Sequence, residues 1–534
     1  MIDSSSFDYY NKFNVHSPSA DHTMSQVSSN SELQQRRAKA LAMGGEERLA
    51  KRRAQNILNA RERLDCLLDK DSFHESGLLA ASYRPAARDK TPADGKITGF
   101  GKIDGRPVAV VSNDFTVLGA SSSVVNGKKI KHVRAVANDS GMPLILLGES
   151  AGARMPDRMG AEGRAILGQD PSEFLRDRRT PWVSALLGSC YGSSTWYSCL
   201  SDFVVMRKGA TMAVASGRVT ELAIKQSVDP EELGGWKLHT ATTGFVDVAV
   251  DTDEEALETV KQFLSYLPSH NGEPPPVAPV PEGSDDAIHD IHEIVPQSRS
   301  KTYDSREVIR RILDKDTMFE MKSRFGKSLV TTLGRIDGKT VGVIANNPKF
   351  KGGSIDVDAC AKATSFLVFC DSFNIPLVFL VDQPGFLIGI DGERRGAPGR
   401  IINWMNALAQ VTVPKITITL RKNYGQAYLN MGGGRNSNDA AAWPEADYGF
   451  MDAGTAVNVL HGVRYEDDPA RFLQLVENVS QDNAPWALAA LYEIQSIIEP
   501  RETRDYLKAV LAIHSRGPSR GVGQHRLNSW PTSY

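Results

Sequence analysis

The sequence lacks an excess of charge of either sign. Its 62 Lys and Arg residues nearly balance 64 Asp and Glu residues, which leaves a formal net charge of −2 at pH 7. A near-neutral chain offers no bulk electrostatic attraction to nucleic acid or to an anionic membrane surface. No apolar run reaches the roughly 18 to 20 residues that a transmembrane helix requires. We therefore expect neither nucleic acid nor a membrane among its partners.

Cysteine is also scarce, and its spacing excludes two kinds of site. No pair has CxxC spacing, which argues against a zinc ribbon, and the count is odd, which argues against a disulfide framework. We interpret the thiols as buried and reduced, and we expect a cytoplasmic protein that binds no metal. The five residues are Cys66, Cys190, Cys199, Cys360 and Cys370.

The length and composition predict a multidomain globular protein. A chain of 534 residues with 41% hydrophobic and 24% charged residues suits two domains of roughly 200 residues each. Residues 1–31 are rich in Ser, Asn and Asp and lack an apolar signal core, so they predict a disordered leader. Residues 32–68 have apolar residues at helical spacing among good helix formers, which predicts a helical arm.

An internal repeat organises the rest of the chain. The segment GKIDGRPVAVVSND at residues 101–114 matches GRIDGKTVGVIANN at residues 334–347, with seven of fourteen positions identical. The copies are 233 residues apart, and the same offset relates the Tyr-Gly pair at 191–192 to that at 424–425. A register held over some ninety residues indicates two copies of one supersecondary plan.

A proline-rich stretch, EPPPVAPVPEG from residue 273, separates the copies and is typical of a stiff, extended connector. We therefore expect an N-terminal lobe over 32–272, a linker over 273–299, a C-terminal lobe over 300–518 and a tail over 519–534. Each copy alternates β-branched runs with segments of helical spacing, which predicts an α/β fold with buried sheets.

In each copy a predicted buried strand ends in a loop of small residues, and a later strand ends in a Tyr-Gly turn. The loops are residues 148–154 and 382–386, and the turns are residues 189–194 and 422–427. Small residues at such places let backbone N–H groups point at a ligand oxygen. One loop and one turn of the same lobe can supply the converging donors of an oxyanion hole. A single glycine turn would indicate only close packing, but matched pairs in both copies favour a function.

Several motifs make a family resemblance specific. Ser150-Ala-Gly-Ala-Arg154 resembles the small-residue loop of carboxyltransferases and of crotonase-type hydratases. The arm motif at 59–73, Glu-Leu-Gly-Gly at 232–235 and Asp382-Gln-Pro-Gly-Phe-Leu387 match further landmarks. Over residues 48–516 the chain thus resembles the carboxyltransferase β subunits of propionyl-CoA and methylcrotonyl-CoA carboxylases. The resemblance implies two tandem crotonase-like lobes, each a superhelix of ββα units.

The resemblance also implies a reaction. In that family a carboxyl group moves from N1-carboxybiotin to the α-carbon of an acyl-CoA, at a site between lobes of two subunits of a homohexamer, a trimer of dimers. The N-terminal lobe takes the acyl-CoA and the C-terminal lobe takes biotin. The implied catalytic donors are Gly192 and Ser193 in the first lobe and Gln426 and Ala427 in the second. The implied substrate-binding residues are Gly152, Ala153, Arg154, Tyr191, Gly385, Phe386, Tyr424, Gly425 and Leu429.

The chain departs from the family pattern in the segments that matter most. Ser193 stands where the family usually has glycine, and Gln426 stands where it has glycine or alanine. Leu429 replaces the substrate-discriminating aspartate of acetyl and propionyl enzymes. The segment 392–403 also differs, and its Pro398 would disturb or start a helix. Because these changes cluster at the implied contacts, we expect an acyl group other than propionyl.

Two parts of a complete carboxylase are not found in the sequence. Glu320-Met-Lys-Ser323 only partly resembles the AMKM biotinylation motif, and no glycine-rich ATP-binding loop of carboxylase type is present. We therefore expect biotin on a partner, a biotin carboxylase/biotin carboxyl carrier subunit, and not covalently on this chain.

Three other functions remain open from the sequence. A biotin-linked acyl-CoA decarboxylase would use the same fold in the reverse direction. A crotonase-like hydratase or isomerase would need acid/base carboxylates and would leave the second lobe unexplained. The altered glycines also suit a non-catalytic scaffold subunit that holds an active β chain.

Overall fold

Two eight-stranded sheets, one from each copy of the repeat, form the centre of the fold. The structure is a computed structural model that describes residues 20–167, 171–517 and 520–531. The strands of the first sheet are His74–Glu75 (β1), Lys96–Ile103 (β2), Arg106–Asn113 (β3), Leu144–Ser150 (β4), Trp182–Tyr191 (β5), Phe203–Arg207 (β6), Thr211–Ala213 (β7) and Val248–Val250 (β8). The strands of the second sheet are Phe319–Met321 (β9), Leu329–Ile336 (β10), Lys339–Asn346 (β11), Leu377–Gln383 (β12), Lys415–Tyr424 (β13), Asp439–Ala442 (β14), Asp447–Gly449 (β15) and Ser496–Ile497 (β16).

The two sheets have the same topology. The first runs in the order β1-β2-β3-β4-β5-β6-β8 with β7 paired to β5, and the second runs β9-β10-β11-β12-β13-β14-β16 with β15 paired to β13. In each, a β hairpin is antiparallel (β2 with β3, β10 with β11), and the pairs from β3 and β11 onward are parallel. The predicted α/β class and the internal repeat are therefore confirmed.

Helices join the parallel strands and cover the sheets, as parallel connections require. In the arm and the first lobe they are Ala20–Leu41 (α1), Glu46–Arg53 (α2), Ala60–Leu67 (α3), Val124–Asp139 (α4), Met155–Arg158 (α5), Gly160–Leu167 (α6), Ser193–Leu200 (α7), Gly217–Ile224 (α8), Pro230–Gly234 (α9), Trp236–Ala241 (α10) and Asp253–Ser265 (α11). Beyond them lie Ile291–Ile294 (α12), Ser305–Ile312 (α13), Val357–Ser372 (α14), Ile390–Arg394 (α15), Ala397–Gln410 (α16), Ala427–Asn430 (α17), Ala453–His461 (α18), Pro469–Ser480 (α19), Pro485–Ala490 (α20) and Thr503–His514 (α21). Every helix of the described ranges is too short or too polar to cross a membrane.

The N-terminal arm is helical, but it is divided into three helices. Gly45, with φ of +91°, precedes α2, and Asn56, with φ of +53°, separates α2 from α3. Helix α1 begins before the predicted arm: residues 20–31, which were predicted to be a disordered leader, are helical and continue into the arm. A helix that has nucleated extends at little further cost, which accounts for this earlier start. The remainder of the predicted leader, residues 1–19, lies outside the described residues.

The connector between the sheets is anchored on the second lobe. Residues 274–281 form neither helix nor strand. The Ala278 N–H donates a 2.9 Å hydrogen bond to the carbonyl of Gly338, in the turn between β10 and β11. This contact fixes where the second lobe begins relative to the connector.

Aromatic side chains join the two lobes into one core. Phe203 of β6 stacks on Phe263 of α11 with ring centroids 4.2 Å apart. Phe263 in turn lies 5.6 Å from Phe369 of α14 and 6.1 Å from Phe319 of β9. All four rings are buried. Because aromatic pairs in this geometry add to the free energy of burial, the cluster holds the lobes in a fixed relation.

Candidate active site

Each lobe has a sharp turn where its central parallel strand meets a helix. In the first lobe β5 ends at Tyr191, Gly192 adopts φ of +64°, and α7 begins at the next residue. In the second lobe β13 ends at Tyr424 and Gly425 adopts φ of +65°. Glycine accepts this left-handed conformation without the steric cost that a Cβ would bring. The repeat therefore preserves the backbone conformation as well as the sequence of the turn.

Both turns present backbone N–H groups. The Trp196 N–H donates to the carbonyl of Gly192, so the N–H groups of residues 193–195 precede the first intrahelical bond of α7. In the second lobe the Tyr428 N–H donates to the Gly425 carbonyl, three residues back, so the N–H groups of residues 426 and 427 precede the first bond of that turn. Within the described residues, no side chain caps the start of α7 or α17. Such N–H groups can bind an oxyanion.

The small-residue loops present a further N–H group in each lobe. In the first lobe the Ser122 N–H donates to the Gly152 carbonyl (2.8 Å), and the Arg154 N–H donates to the Ser122 carbonyl (2.9 Å). This parallel bridge between Ser122 and Ala153 turns the N–H of Ala153 to the opposite side. The second lobe repeats the arrangement with a bridge between Ile355 and Phe386. Each lobe therefore has one outward N–H on its loop and others on its turn.

The first-lobe loop and turn share one cleft with a volume of about 420 Å³. Ser122 and Ala153 line it from the loop side, and Gly192 and Ser193 line it from the turn. The hydroxyl oxygens of Ser122 and Ser193 are 2.5 Å apart, so a hydrogen bond closes this end. Its other lining residues include apolar Val124, Ile130, Ile166, Phe174 and Trp196 and cationic Lys128, Lys131 and Arg158. Among the described lining residues, none comes from the second lobe.

The turn of the second lobe is open to solvent. The side chain of Gln426 is exposed, and Ala427 behind it is fully buried. The Gly425 N–H donates to the Gly449 carbonyl (2.9 Å), which places Phe450, 81% exposed, beside the turn. Ile388, after the small-residue loop, is 88% exposed. Within this chain, large apolar side chains around the second turn therefore remain uncovered.

Comparison with known proteins identifies the family. A family model described as "Carboxyl transferase domain" matches residues 51–526. This chain belongs to the carboxyl transferase family. The carboxyltransferase subunit of propionyl-CoA carboxylase from Haloferax mediterranei is 37% identical over 493 residues, which cover 90% of this chain and 95% of that protein. The 12S subunit of methylmalonyl-CoA carboxyltransferase from Propionibacterium freudenreichii is 34% identical over 495 residues, 91% of this chain and 94% of that protein.

Solved structures of carboxyl transferases share the fold. A structure of transcarboxylase 12S, described as a hexamer with methylmalonyl-CoA bound, superimposes with a TM-score of 0.83 at 32% identity and covers 94% of this chain and 97% of that chain. A single-chain, multi-domain long-chain acyl-CoA carboxylase superimposes with a TM-score of 0.80 at 28% identity, over 93% of this chain and 49% of that chain. The resemblance to carboxyltransferase subunits of biotin-dependent acyl-CoA carboxylases is thus confirmed, and carboxyl transfer is the reaction of this chain.

Three of the residues predicted to bind substrate have side chains that are buried in the interior of this carboxyl transferase and do not line the cleft. The guanidinium of Arg154 is 5% exposed and donates from Nη1 to Asp94 at 2.5 Å. Tyr191 is buried, and the buried Tyr424 donates its hydroxyl to Asp447. Burial and that carboxylate raise the pKa of Tyr424. These three side chains support the loop and turns, whose backbone faces the ligand.

Two residues of the site were not predicted. Ser122 belongs to the segment before α4, which carries no strand-end signal, so only the fold reveals its contact with Ser193. Lys96, at the start of β2, does not line the cleft; it is buried and donates to Asn113 Oδ1 (3.0 Å), whose amide contacts Ser194 of the turn, and to the Ala120 carbonyl (3.1 Å). A lysine at a strand end normally indicates an exposed side chain, and here that signal is misleading.

Proposed function

We propose that this carboxyl transferase moves a carboxyl group from N1-carboxybiotin on a partner subunit to the α-carbon of an acyl-CoA. The observation that carries the proposal is the matched set of free backbone N–H groups in the two lobes. We assign Gly192 and Ser193 to the thioester oxygen and Gln426 and Ala427 to the biotin carbonyl. The facing loops contribute through Ala153 and Phe386.

The chemistry requires two oxyanion sites. Loss of CO2 from N1-carboxybiotin leaves an anion on the biotin carbonyl, and removal of the α-proton from the thioester creates an enolate. The α-carbon of that enolate then attacks the CO2 and forms the new C–C bond. Backbone donors that are already oriented stabilise both anions without reorganisation, and loss of one such donor typically costs 10²- to 10³-fold in kcat, which we take as a rough guide here. The biotin anion can accept the α-proton, so the protein needs no separate general base.

The first-lobe cleft suits coenzyme A. Lys128, Lys131 and Arg158 line it together with apolar side chains. Lys131 lies 3.2 Å from Glu173, and an incoming phosphate would compete for its ammonium. Phosphates pair well with such cations, and the pantetheine arm suits the apolar walls. We therefore place the acyl-CoA in this lobe and biotin in the other.

A second copy of the chain would complete the site. Apolar side chains beside both turns are exposed, with Val214 at 72% and Phe450 at 81%. They are equivalent positions of the repeat, because each follows the short strand that pairs with the end of β5 or β13. We infer that the first lobe of one copy covers the second lobe of another, as in a homohexamer built as a trimer of dimers. Exposed apolar surfaces of this kind mark protein interfaces.

The finer assignments of the sequence remain part of this proposal. The lobe limits 32–272 and 300–518 each enclose one complete sheet, and we keep the crotonase-like description of each lobe. The biotin carboxylase/biotin carboxyl carrier partner and the cytoplasmic location follow from the family resemblance alone.

The acyl group is proposed to differ from propionyl. The Ser122–Ser193 hydroxyl contact fills the space that a glycine at position 193 would leave. Leu429, half-buried in α17, presents an apolar side chain where an acyl chain would meet the second lobe. A purified complex with the biotinylated partner should carboxylate another acyl-CoA faster than propionyl-CoA. Fastest ATP-dependent bicarbonate fixation with propionyl-CoA would contradict this.

The oxyanion donors can be tested by proline substitution. Ser193 and Ala427 are the first residues of α7 and α17, where proline is tolerated but carries no N–H. We expect Ser193→Pro and Ala427→Pro each to lower kcat by about 10²- to 10³-fold. Ser193→Gly and Ala427→Gly keep the N–H and serve as controls. Equal activity of the proline and glycine variants would show that these N–H groups do not stabilise the anions.

A further inference from the structure

In both lobes a β-bulge faces the end of the strand that leads into the small-residue loop. The pairing of β4 with β5 changes register between Gly148 and Ser150, and the pairing of β12 with β13 changes register between Val381 and Gln383. The residue within each shift is acidic, Glu149 in the first lobe and Asp382 in the second. The extra residues of each bulge lie on the neighbouring strand, because residues 148–150 of β4 oppose 186–190 of β5 and residues 381–383 of β12 oppose 419–423 of β13. Each bulge therefore precedes the Tyr-Gly turn on its own strand and faces the acidic residue on the strand that leads into the small-residue loop.

The carboxylate opposite the first bulge is buried and paired with two arginines of the N-terminal arm. Glu149 is 5% exposed. Its Oε1 accepts from Nη1 of Arg52 at 2.9 Å, and its Oε2 accepts from Nη2 of Arg52 and Nη1 of Arg63, both at 2.8 Å. Arg63 is itself fully buried and also donates from Nε to Asp253 at 3.0 Å. Helices α2 and α3 are therefore tied to the strand end that leads into the loop.

The carboxylate opposite the second bulge is paired within its own sheet. Asp382 is fully buried, and its Oδ2 accepts from Nε of Arg421 on β13 at 3.0 Å. Its Oδ1 accepts from the Lys422 N–H at 3.2 Å. Nη1 of Arg421 donates to the carbonyls of Pro296, Ser298 and Lys301. This guanidinium thus ties the loop to the end of the connector.

The repeat explains why the two cations come from different places. Arg421 corresponds to Gly188 of β5, 233 residues earlier. A Cβ at Gly188 would lie 2.6 Å from Oε1 of Glu149, so no side chain fits there. In the first lobe, Arg52 and Arg63 of the N-terminal arm provide the guanidinium groups that pair with Glu149. The acidic residue, the bulge and the loop are common to both lobes, and only the source of the basic partner differs.

We propose that Glu149 and Asp382 are positioning residues, which set the direction in which the chain leaves β4 and β12 opposite the bulges and so hold the N–H groups of Ala153 and Phe386 in place. A buried carboxylate paired with fixed guanidinium donors leaves the end of its strand little freedom, because any other path would separate buried charges. The lobe-specific form of the proposal rests on the proposed function, which assigns acyl-CoA to the first lobe and biotin to the second.

The test uses Glu149→Gln and Asp382→Asn in the full chain with its biotinylated partner. We expect Glu149→Gln to lower kcat/KM for acyl-CoA by at least about tenfold and to leave KM for the carboxylated carrier unchanged. Asp382→Asn should raise KM for the carrier and leave KM for acyl-CoA unchanged. Glu149→Asp and Asp382→Glu, which keep the charge, should recover part of the loss.

Two matched variants separate positioning from simple loss of stability. The side chains of Asp202 and Asp314 are also buried and paired with arginines, but neither residue lies on a strand that leads into a small-residue loop. Asp202→Asn and Asp314→Asn should lower Tm and shift neither KM selectively. If Glu149→Gln and Asp382→Asn behave like these controls, or shift both KM values alike, the positioning role is wrong.

Hydrogen exchange provides a readout that is independent of turnover. Glu149→Gln should speed amide exchange in residues 150–154 and leave residues 383–387 unchanged, and Asp382→Asn should do the reverse. If the wild-type chain carboxylates no acyl-CoA, the proposed function fails, but the exchange result still decides the positioning role. Unchanged exchange in both loops would overturn it.

Discussion

At the scale of single residues, Lys96 links the segment before Ser122 to the first turn of α7. Its ammonium donates to the Ala120 carbonyl and to Asn113, whose side-chain amide donates to the Ser194 hydroxyl in the first turn of α7. Complete burial lowers the pKa of Lys96 to about 7, and the nearby Arg154 acts in the same direction. Asp94 and Cys190 oppose the change, while Lys129 adds to it. The first turn of α7 is therefore supported by a lysine whose pKa burial lowers to about 7.

This lysine predicts a pH dependence of stability. Its pKa is near 7 in the folded chain and about 10.4 when unfolded, so between these values the unfolded state binds more protons. The free energy of unfolding should therefore rise with pH from about 7 to about 10. Lys96→Met has no titrating group at this position and therefore lacks this pH-dependent contribution. The Tm of the wild type should rise relative to the Tm of Lys96→Met as the pH increases from about 7 to about 10. A difference that is independent of pH would contradict the prediction.

Single positions also show how far the sequence could predict the site. Gly192 and Gly425 were found because a positive φ restricts the residue type, and that restriction is visible in the sequence. Arg154 was predicted to bind substrate, but a long cationic side chain can fold under its own loop, and its partner Asp94 lies 60 residues away. Contacts between distant segments of this kind leave no local pattern.

At the scale of elements, most predictions were local and were confirmed. Pro398 was expected to disturb or start a helix, and it lies in the first turn of α16. The β-branched runs in the matched segments 101–114 and 334–347 form the strands β3 and β11. The breaks in the arm were not predicted, because propensity over a window does not locate where tertiary packing divides a helix.

The two hairpin turns of the repeat provide a matched test of an element contact. Gly105 and Gly338 have φ of +76° and +75°, and each N–H donates to an aspartate, Asp69 or Asp314, at 2.8 Å. A Cβ at Gly105 would meet open space, but one at Gly338 would lie 2.1 Å from the Ala278 carbonyl oxygen.

Both alanine variants carry the cost of a left-handed residue, about 1 to 2 kcal/mol. Gly338→Ala must in addition displace the connector. We expect Gly338→Ala to lower Tm clearly more than Gly105→Ala, as measured by thermal unfolding of the purified chain. Equal losses would mean that the connector moves freely on the second lobe.

At the scale of the whole molecule, several large apolar side chains are exposed on the surface of the single chain. Helix α8 has no buried residue, and its Leu222 and Val219 are 74% and 55% exposed. From the sequence alone, such a helix reads as part of the core, because apolar spacing does not distinguish a core face from an interface. In the structure α8 lies on the surface with its apolar side chains exposed, which suits the assembly of several copies proposed above.

Leu222→Asp should weaken that assembly. A charge at the centre of a buried apolar interface is costly, so we expect a smaller species in size-exclusion chromatography with light scattering, and a loss of activity in parallel. Val277→Asp, on the exposed connector at 68%, is the control and should leave the assembly intact. An unchanged assembly with Leu222→Asp would place α8 outside the interface.

The different basic partners of Glu149 and Asp382 also bear on how the two lobes evolved. Two lobes with one strand order, one bulge position and one pair of glycine turns indicate an ancestral duplication within a single gene. After it, Glu149 and Asp382 stayed in place while their basic partners came to lie on different segments, helices α2 and α3 in one lobe and strand β13 in the other. The first lobe thereby became dependent on sequence outside its own sheet. A fragment that begins at β2 would inherit the loop without the charges that hold it, so the halves are no longer interchangeable.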